Sequence, residues 1–97
     1  MNMDYGQWEI VANRPCNLPL SLLKGFNEAT SKLDGATYTP LLYCAKKIVN
    51  GMNYFIIAKE KLSAYDFDEN IVKIILNESV SNNGEDKFSV VLREKII

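Results

Sequence analysis

The sequence predicts an α+β fold in which one helix packs across a twisted antiparallel sheet of four to five strands. Only residues 20–33 have the apolar spacing of an amphipathic helix. The apolar segments after them are short, rich in β-branched and aromatic residues, and separated by links of hairpin length. Helix and strands are therefore segregated along the chain, which favours a helix on one face of an antiparallel sheet. We expect the other face to be solvated, because polar residues such as Lys73 and Ser89 alternate with apolar ones.

The first strand and the helix occupy the first third of the chain. The strand is predicted over residues 7–13, which are rich in Trp, Ile and Val and are followed by the strand-breaking Pro15. The helix begins after Pro19, and Gly35 is placed to form a left-handed C-terminal cap. Gly25 inside the helix suits a close approach to the sheet. The apolar face of the helix consists of Leu22, Phe26, Ala29 and Leu33.

Four further strands complete the order strand–helix–strand–strand–strand–strand. They are predicted over residues 38–49, 52–62, 71–77 and 87–94, with polar links at 63–70 and 78–86. Alternation places three apolar residues on one face in each of the last two strands. These are Val72, Ile74 and Leu76 in one strand, and Phe88, Val90 and Leu92 in the other.

Length and composition set limits on the function. We expect one domain over residues 1–97, since 97 residues leave no room for two. Eleven basic and 12 acidic residues give a formal net charge of −1, so nothing in the charge favours nucleic acid or an anionic membrane as a partner. No stretch reaches the ~18 apolar residues of a membrane span. No signal peptide is visible, so we expect a cytoplasmic location, although a mature secreted chain would look the same.

The chain is poor in the residues that carry covalent chemistry. It contains no histidine, the commonest general acid–base and the usual companion of Ser and Cys nucleophiles. Cys16 and Cys44 are the only cysteines, and they lack metal-ligand spacing. We expect two free thiols, with a single disulfide as the alternative. The sequence therefore predicts no catalytic residue, no metal and no cofactor.

One hairpin combines a strong turn signal with an unusually apolar tip. Residues 46–55 read KKIVNGMNYF, and Asn-Gly between apolar stretches is typical of a two-residue type I′ turn. Ile48, Val49 and Met52 surround this turn, where polar residues would be ordinary. Two interpretations stay open: the apolar residues pack against each other across the hairpin, or they form a wedge that enters a partner.

The hairpin and the element order resemble the cystatins. Cystatins have a first hairpin reading Gln-Val-Val-Ala-Gly, a variable residue, and then Asn-Tyr-Phe. Residues 47–55, KIVNGMNYF, align with it without a gap and match the apolar pair, the Gly and the Asn-Tyr-Phe. The similarity covers most of the chain, and the lack of a signal peptide and of a cystatin disulfide pattern is closer to the stefin branch. The opening GQWEI also resembles monellin, which shares this architecture but not a function.

This resemblance implies a reversible inhibitor of papain-like cysteine proteases. In the family, an N-terminal segment and two hairpin tips form one wedge that plugs the protease cleft without covalent chemistry. On this chain the N-terminal element would be Gly6. The first hairpin would contribute Lys47, Ile48, Val49, Asn50 and Gly51, and the second hairpin Ser81, Asn82, Asn83 and Gly84.

The chain also departs from the family pattern in ways that suggest an alternative. Lys47 stands where the family has Gln, Asn50 stands where it has Ala, and the second hairpin lacks the Pro-Trp pair. The alternative is a non-inhibitory cystatin-like module that binds another protein or a second copy of itself. Long strands and an apolar hairpin tip are compatible with a domain-swapped homodimer.

Overall fold

A computed structural model of the chain describes residues 6–11, 18–63, 69–80 and 86–97. It contains one helix and one five-stranded antiparallel sheet, which confirms the predicted α+β class and element order. The elements are β1 (Trp8–Ile10), α1 (Leu20–Thr30), β2 (Ala36–Val49), β3 (Gly51–Leu62), β4 (Glu69–Val80) and β5 (Asp86–Lys95). The four longer strands extend the predicted bounds by one to three residues at one or both ends.

The strands lie in the sheet in the order in which they follow along the chain, from β1 at one edge to β5 at the other. Each neighbouring pair is antiparallel. The helix packs on one face of the sheet, against β5 and β2. We call this side the helix face and the opposite side the open face. The arrangement is compatible with the cystatin architecture.

The core lies between α1 and the helix face. Its buried residues are Leu22, Phe26, Ala29, Tyr43, Ile56, Ala58, Val72, Ile74 and Leu76. The predicted apolar faces of the helix and of β4 are therefore confirmed, except that Leu33 lies beyond the helix and is only half-buried. The expected close approach at Gly25 is also confirmed. A Cβ atom there would lie 2.4 Å from the Phe88 ring, so any larger residue would displace that ring.

The helix ends earlier than the sequence predicts. It stops at Thr30, whose hydroxyl donates a 2.8 Å hydrogen bond to the Phe26 carbonyl, and Ser31 is the C-cap. The amides of Lys32 and Leu33 then donate to carbonyls three residues back, which tightens the chain into a 3₁₀-type turn. Gly35 has a positive φ of 87° but lies beyond this turn. The prediction that Gly35 caps the helix is therefore wrong, and Gly35 leads the chain into β2 instead.

A bulge in β5 overturns one predicted face. Phe88 and Val90 lie on the helix face, where both pack against the core. The pairing with β4 then shifts, because Leu76 faces Val90 whereas Ile75 faces Leu92, so Val91 is an extra residue. Leu92 consequently lies on the open face, and the expectation that it shares a face with Phe88 and Val90 is wrong.

The open face is more apolar than expected. It carries polar side chains, including Lys73 and Ser89, as predicted. It also carries a group of apolar residues, of which Ile75 is almost fully buried by its neighbours. These apolar residues are Trp8, Leu42, Phe55, Ile57, Ile75 and Leu92.

The described part of the chain contains no helix long and apolar enough to cross a bilayer.

Candidate functional site

Two of the three sequence-predicted elements lie side by side at one end of the sheet. The Gly6 amide donates a 2.9 Å hydrogen bond to the Ile48 carbonyl. The pairing of β1 with β2 begins two residues later, where Trp8 lies opposite Lys47. The N-terminal segment is therefore attached beside the turn of the first hairpin by backbone pairing. We call Gly6 and residues 47–51 together the tip edge.

The first hairpin turns differently from the expected type I′ turn. A two-residue Asn-Gly loop would pair Val49 with Met52, but in the structure Ile48 faces Met52 and Val49 faces Gly51. The prediction of a two-residue turn is therefore wrong. Ile48 and Met52 therefore flank a three-residue loop, residues 49–51, with Asn50 at its apex and Gly51, at φ 99°, as its last residue. A left-handed residue at the end is typical of three-residue hairpin loops. The register of the loop decides which face of the sheet each side chain takes.

Gly51 is required by both its backbone and its neighbour. Its φ of 99° is one that residues with a Cβ rarely adopt. A Cβ atom at this position would also lie 2.3 Å from the Glu78 carbonyl oxygen, which belongs to β4. The glycine thus allows β3 to enter the sheet beside β4 immediately after the turn. Gly6 also has a positive φ, 84°, but a Cβ there would meet open space.

The tip edge is only partly exposed. Asn50 is exposed, whereas Ile48, Val49 and Met52 are half-buried. Ile48 and Met52 face each other across the hairpin, so part of their apolar surface is already covered within the chain. The two interpretations of the apolar tip are therefore both partly met: the residues pack across the hairpin and still leave apolar surface for a partner.

Behind the tip edge, two aromatic rings and two lysines form a row on the open face. The Trp8 and Phe55 rings meet edge to face with centroids 5.8 Å apart. The Lys47 Nζ lies 4.7 Å from the Trp8 ring centroid, and the Lys73 Nζ lies 5.0 Å from the Phe55 centroid. The cation–π contact with Trp8 holds the Lys47 ammonium over β1, away from the turn. Its charge therefore lies over the open face behind the tip.

Two side-chain hydrogen bonds join β3 to β4 next to the tip. The Asn77 amide donates to the Asn53 side-chain oxygen at 2.7 Å, on the open face. The Tyr54 hydroxyl donates to the Glu78 carboxylate at 2.5 Å, on the helix face. The hairpin is thus joined to β4 by a side-chain hydrogen bond on each face of the sheet.

The predicted second hairpin, Ser81 to Gly84, lies outside the described residues, and so does Cys16. The strands that flank this hairpin are described. Glu78 pairs with Met52, and Val80 pairs with Asp86, so β4 ends and β5 begins at the same end of the sheet as the tip edge.

Cys44, the other cysteine, is a free, half-buried thiol, and burial raises its pKa.

A buried carboxylate lies at the opposite end of the sheet. Glu60 is 2% exposed, and its carboxylate accepts hydrogen bonds from the Nε and Nη2 atoms of Arg93. It also accepts from the Tyr38 hydroxyl at 2.6 Å and from the Asn70 side-chain amide at 2.8 Å. The hydrogen bonds from Arg93 are the largest cause that lowers the pKa of Glu60 to about 2. Burial, followed by the contact with Glu60, raises the pKa of Tyr38 to about 12.

This buried cluster is suited to holding strands together. A carboxyl group that is ionised and fully hydrogen-bonded near neutral pH is poorly matched to general acid–base work. Its partners come from β2, β4 and β5, so the four longer strands meet at one anion. Among the described residues, no group of three or more His, Cys, Asp or Glu side chains could hold a metal ion.

Sequence reasoning missed the residues that support the tip edge. The sequence predicts a strand at Trp8, but the contact of its ring with Phe55 depends on the pairing of β1 with β2. Sequence reasoning also missed the Glu60–Arg93 pair at the opposite end of the sheet, because it joins residues far apart in the chain and no local pattern signals it. The row on the open face takes one residue from each of four strands, Trp8, Lys47, Phe55 and Lys73, so no signal within a single strand could have found it.

Comparisons with known proteins do not assign a family. No protein-family model matches the chain, and neither curated proteins nor solved structures show a significant similarity to it.

Proposed function

We propose that the chain is a cystatin-like, reversible inhibitor of papain-like cysteine proteases, and that its tip edge plugs the protease cleft. The observation that carries the proposal is the hydrogen bond between the Gly6 amide and the Ile48 carbonyl, 2.9 Å long. It joins the N-terminal segment to the first hairpin at one end of the sheet. The resemblance of residues 47–55 to the cystatin first hairpin supplies the kind of target.

In this proposal the tip edge contributes apolar contact and a rigid shape. Ile48 and Val49 are half-buried, so covering the rest of each side chain in a cleft contributes about 1 kcal/mol per residue. The Asn53–Asn77 and Tyr54–Glu78 hydrogen bonds hold the hairpin in the sheet before binding. A rigid hairpin loses little conformational freedom on association, which favours affinity.

The polar residues of the tip edge set limits on the cleft. Asn50 is exposed at the apex and needs hydrogen-bonding partners or water where it meets the protease. The Lys47 ammonium lies over the Trp8 ring, 4.7 Å from its centroid. Its charge therefore does not obstruct insertion of the tip. The substitution of Gln by Lys relative to cystatins is compatible with inhibition for this reason.

The proposal is tested by an inhibition assay with a matched pair of variants. The wild-type chain should slow papain or a cathepsin stoichiometrically and reversibly. The double variant Ile48→Asp/Val49→Asp should lose this effect, because two carboxylates cannot be buried in an apolar cleft. The control is Ile96→Asp/Ile97→Asp, which also replaces two neighbouring β-branched residues by Asp but at exposed positions at the opposite end of the sheet.

The outcomes separate a specific effect of the tip edge from a general effect of two added carboxylates. Inhibition that survives in the Ile96/Ile97 variant and disappears in the Ile48/Val49 variant supports it. Equal loss in both variants contradicts a specific role for the tip edge. So does the absence of inhibition by the wild-type chain, at high micromolar concentration, across several papain-like proteases.

The second candidate is a non-inhibitory cystatin-like module that binds another protein or its own copy. The packing of Ile48 against Met52 across the hairpin favours it, because apolar surface that is covered within the chain is not available to a cleft. This candidate predicts a wild-type chain that has no effect on the proteases and forms a complex with a different partner.

A further inference from the structure

The β5 strand forms a long open edge of the sheet. It pairs with β4 on one side, and no other described strand pairs with its outer side. The other edge strand, β1, has only three residues, whereas β5 has ten. The outer N–H and C=O groups of an edge strand are a template on which a further strand can pair.

The bulge at Val91 gives β5 an unusual symmetry of faces. Before it, Lys87 and Ser89 pair with Ser79 and Asn77 of β4. After it, Leu92 and Glu94 pair with Ile75 and Lys73. These four β4 residues alternate along one uninterrupted strand and all lie on the open face. Their four partners in β5 therefore lie on the open face as well.

The remaining residues of β5 follow the same symmetry on the helix face. Phe88 packs against the core, and Arg93 binds the buried Glu60. Residues at equal distances from the midpoint between Val90 and Val91 therefore share a face. In a strand that alternates throughout, such residues would lie on opposite faces. The extra residue removes that mismatch.

This symmetry gives β5 a register in which it can pair antiparallel with its own copy. Residues that are directly opposite in an antiparallel pair lie on the same face. Pairing centred between Val90 and Val91 opposes Ser89 to Leu92 and Lys87 to Glu94 of the second copy. The two-fold axis repeats each pair, so two Lys87–Glu94 attractions flank the centre. Val91, which is 59% exposed in the single chain, lies at that centre.

Neighbouring registers are disfavoured by both charge and face. A shift of one residue in either direction opposes Lys87 to Arg93 or to Lys95 of the second copy. Both are like-charge pairs, and both place an open-face residue opposite a helix-face residue. Lysines and bulges on an edge strand normally discourage pairing with foreign strands. On β5 they disfavour the two registers that lie one residue away from the self-complementary one.

We propose that the chain forms a homodimer in which the β5 strands of two copies pair antiparallel, with Lys87 opposite Glu94 of the second copy. The two sheets then form one continuous sheet with a helix from each copy on the same face. This surface lies along an edge of the sheet and does not use the tip edge, so the proposal is independent of protease inhibition. It also differs from domain swapping, because every element stays with its own chain.

The test is a charge-reversal cycle followed by analytical ultracentrifugation over a wide concentration range. The wild-type chain should show a monomer–dimer equilibrium. Lys87→Glu and Glu94→Lys should each weaken the dimer by about tenfold, because two symmetry-related pairs change from attraction to repulsion. The double variant Lys87→Glu/Glu94→Lys should restore the wild-type association.

The control is Lys59→Glu, which makes the same change on the open face of the central strand β3 and should leave association unchanged. Circular dichroism checks that each variant is folded, and Lys87→Glu is the more informative single variant because its β4 partner, Ser79, is uncharged. A wild-type chain that stays monomeric at high concentration overturns the proposal. So does a dimer that persists in the single variants or does not return in the double variant.

Discussion

The substitution Glu60→Gln tests how the buried carboxylate stabilises the fold. Glu60 is 2% exposed and accepts hydrogen bonds from Arg93, Tyr38 and Asn70. Glutamine keeps the size of the side chain but has one acceptor oxygen and an NH₂ group. That NH₂ group must face a donor, and the Arg93 guanidinium loses its anion. We therefore expect Glu60→Gln to lower the free energy of unfolding at neutral pH.

The magnitude follows from the pKa of Glu60. Its value falls from the ordinary 4.5 to about 2 in the folded chain, chiefly because of the hydrogen bonds from Arg93. The difference corresponds to about 3 kcal/mol of stability, which becomes about 2–3 kcal/mol because the partly exposed Arg93 is screened by solvent. A lowered pKa in the folded state gives stability that is fully present above the unfolded pKa. This stability is lost as the pH falls from about 5 towards 2.

Urea unfolding across this pH range measures the effect. The free energies of wild type and Glu60→Gln should differ by about 2–3 kcal/mol near pH 7, and the difference should shrink steadily below about pH 5. Glu28→Gln, on the exposed side of the helix, controls for the loss of one negative charge. A difference that is constant with pH, or one below about 0.5 kcal/mol at pH 7, would refute the assigned role of Glu60.

Three further predictions concern the glycines and the row on the open face. Gly51→Ala should lower the free energy of unfolding by about 2–4 kcal/mol, whereas Gly6→Ala should cost about 1 kcal/mol, because a Cβ atom has no room at Gly51 but meets open space at Gly6. Equal costs in chemical denaturation would contradict this. Gly25→Ala should lower the free energy of unfolding by about 1–3 kcal/mol, because the added methyl group overpacks against the Phe88 ring. Adding Phe88→Leu to this variant should recover part of the loss. If the losses of the two single variants simply add in the double variant, the contact is contradicted. Trp8→Ala should speed hydrogen exchange at the Gly6 amide, since the ring contact that holds β1 to the sheet is lost; unchanged exchange would show that backbone pairing alone holds β1.

The fold was largely predictable because its core is built from regular patterns. Leu22, Phe26 and Ala29 follow the helical period, and alternation in β4 places Ile74 and Leu76 on the covered face. Each pattern is local, so each could be found along the chain. The element order then left a helix on one face of an antiparallel sheet as the natural packing.

The errors arose where a short-range pattern competes with a contact from elsewhere. The helix ends at Thr30 because hydroxyl groups and a tight turn satisfy its last carbonyls before Gly35 is reached. The Asn-Gly pair favours a two-residue turn, yet the register that places Gly51 against the Glu78 carbonyl prevails. Alternation in β5 fails at Val91, because one extra residue reverses the faces that follow.

The sequence indicated which residues form the candidate site, but it did not indicate how their side chains are buried and placed. Similarity to the cystatin hairpin indicated residues 47–51, and the hydrogen bond from Gly6 to Ile48 joins the N-terminal segment to them. The half-burial of Ile48 and Val49 and the position of Lys47 over Trp8 depend on pairings between distant strands. These contacts decide how much apolar surface the tip edge offers.

The most direct test of the central claim is a titration of papain activity with the wild-type chain at a known concentration of active enzyme. We expect activity to fall linearly to a plateau near equimolar ratio and to recover on dilution, since the proposed insertion of the tip edge into the cleft forms no covalent bond. Papain activity that is unchanged at a large molar excess of the chain, or inhibition that does not reverse on dilution, would contradict the account.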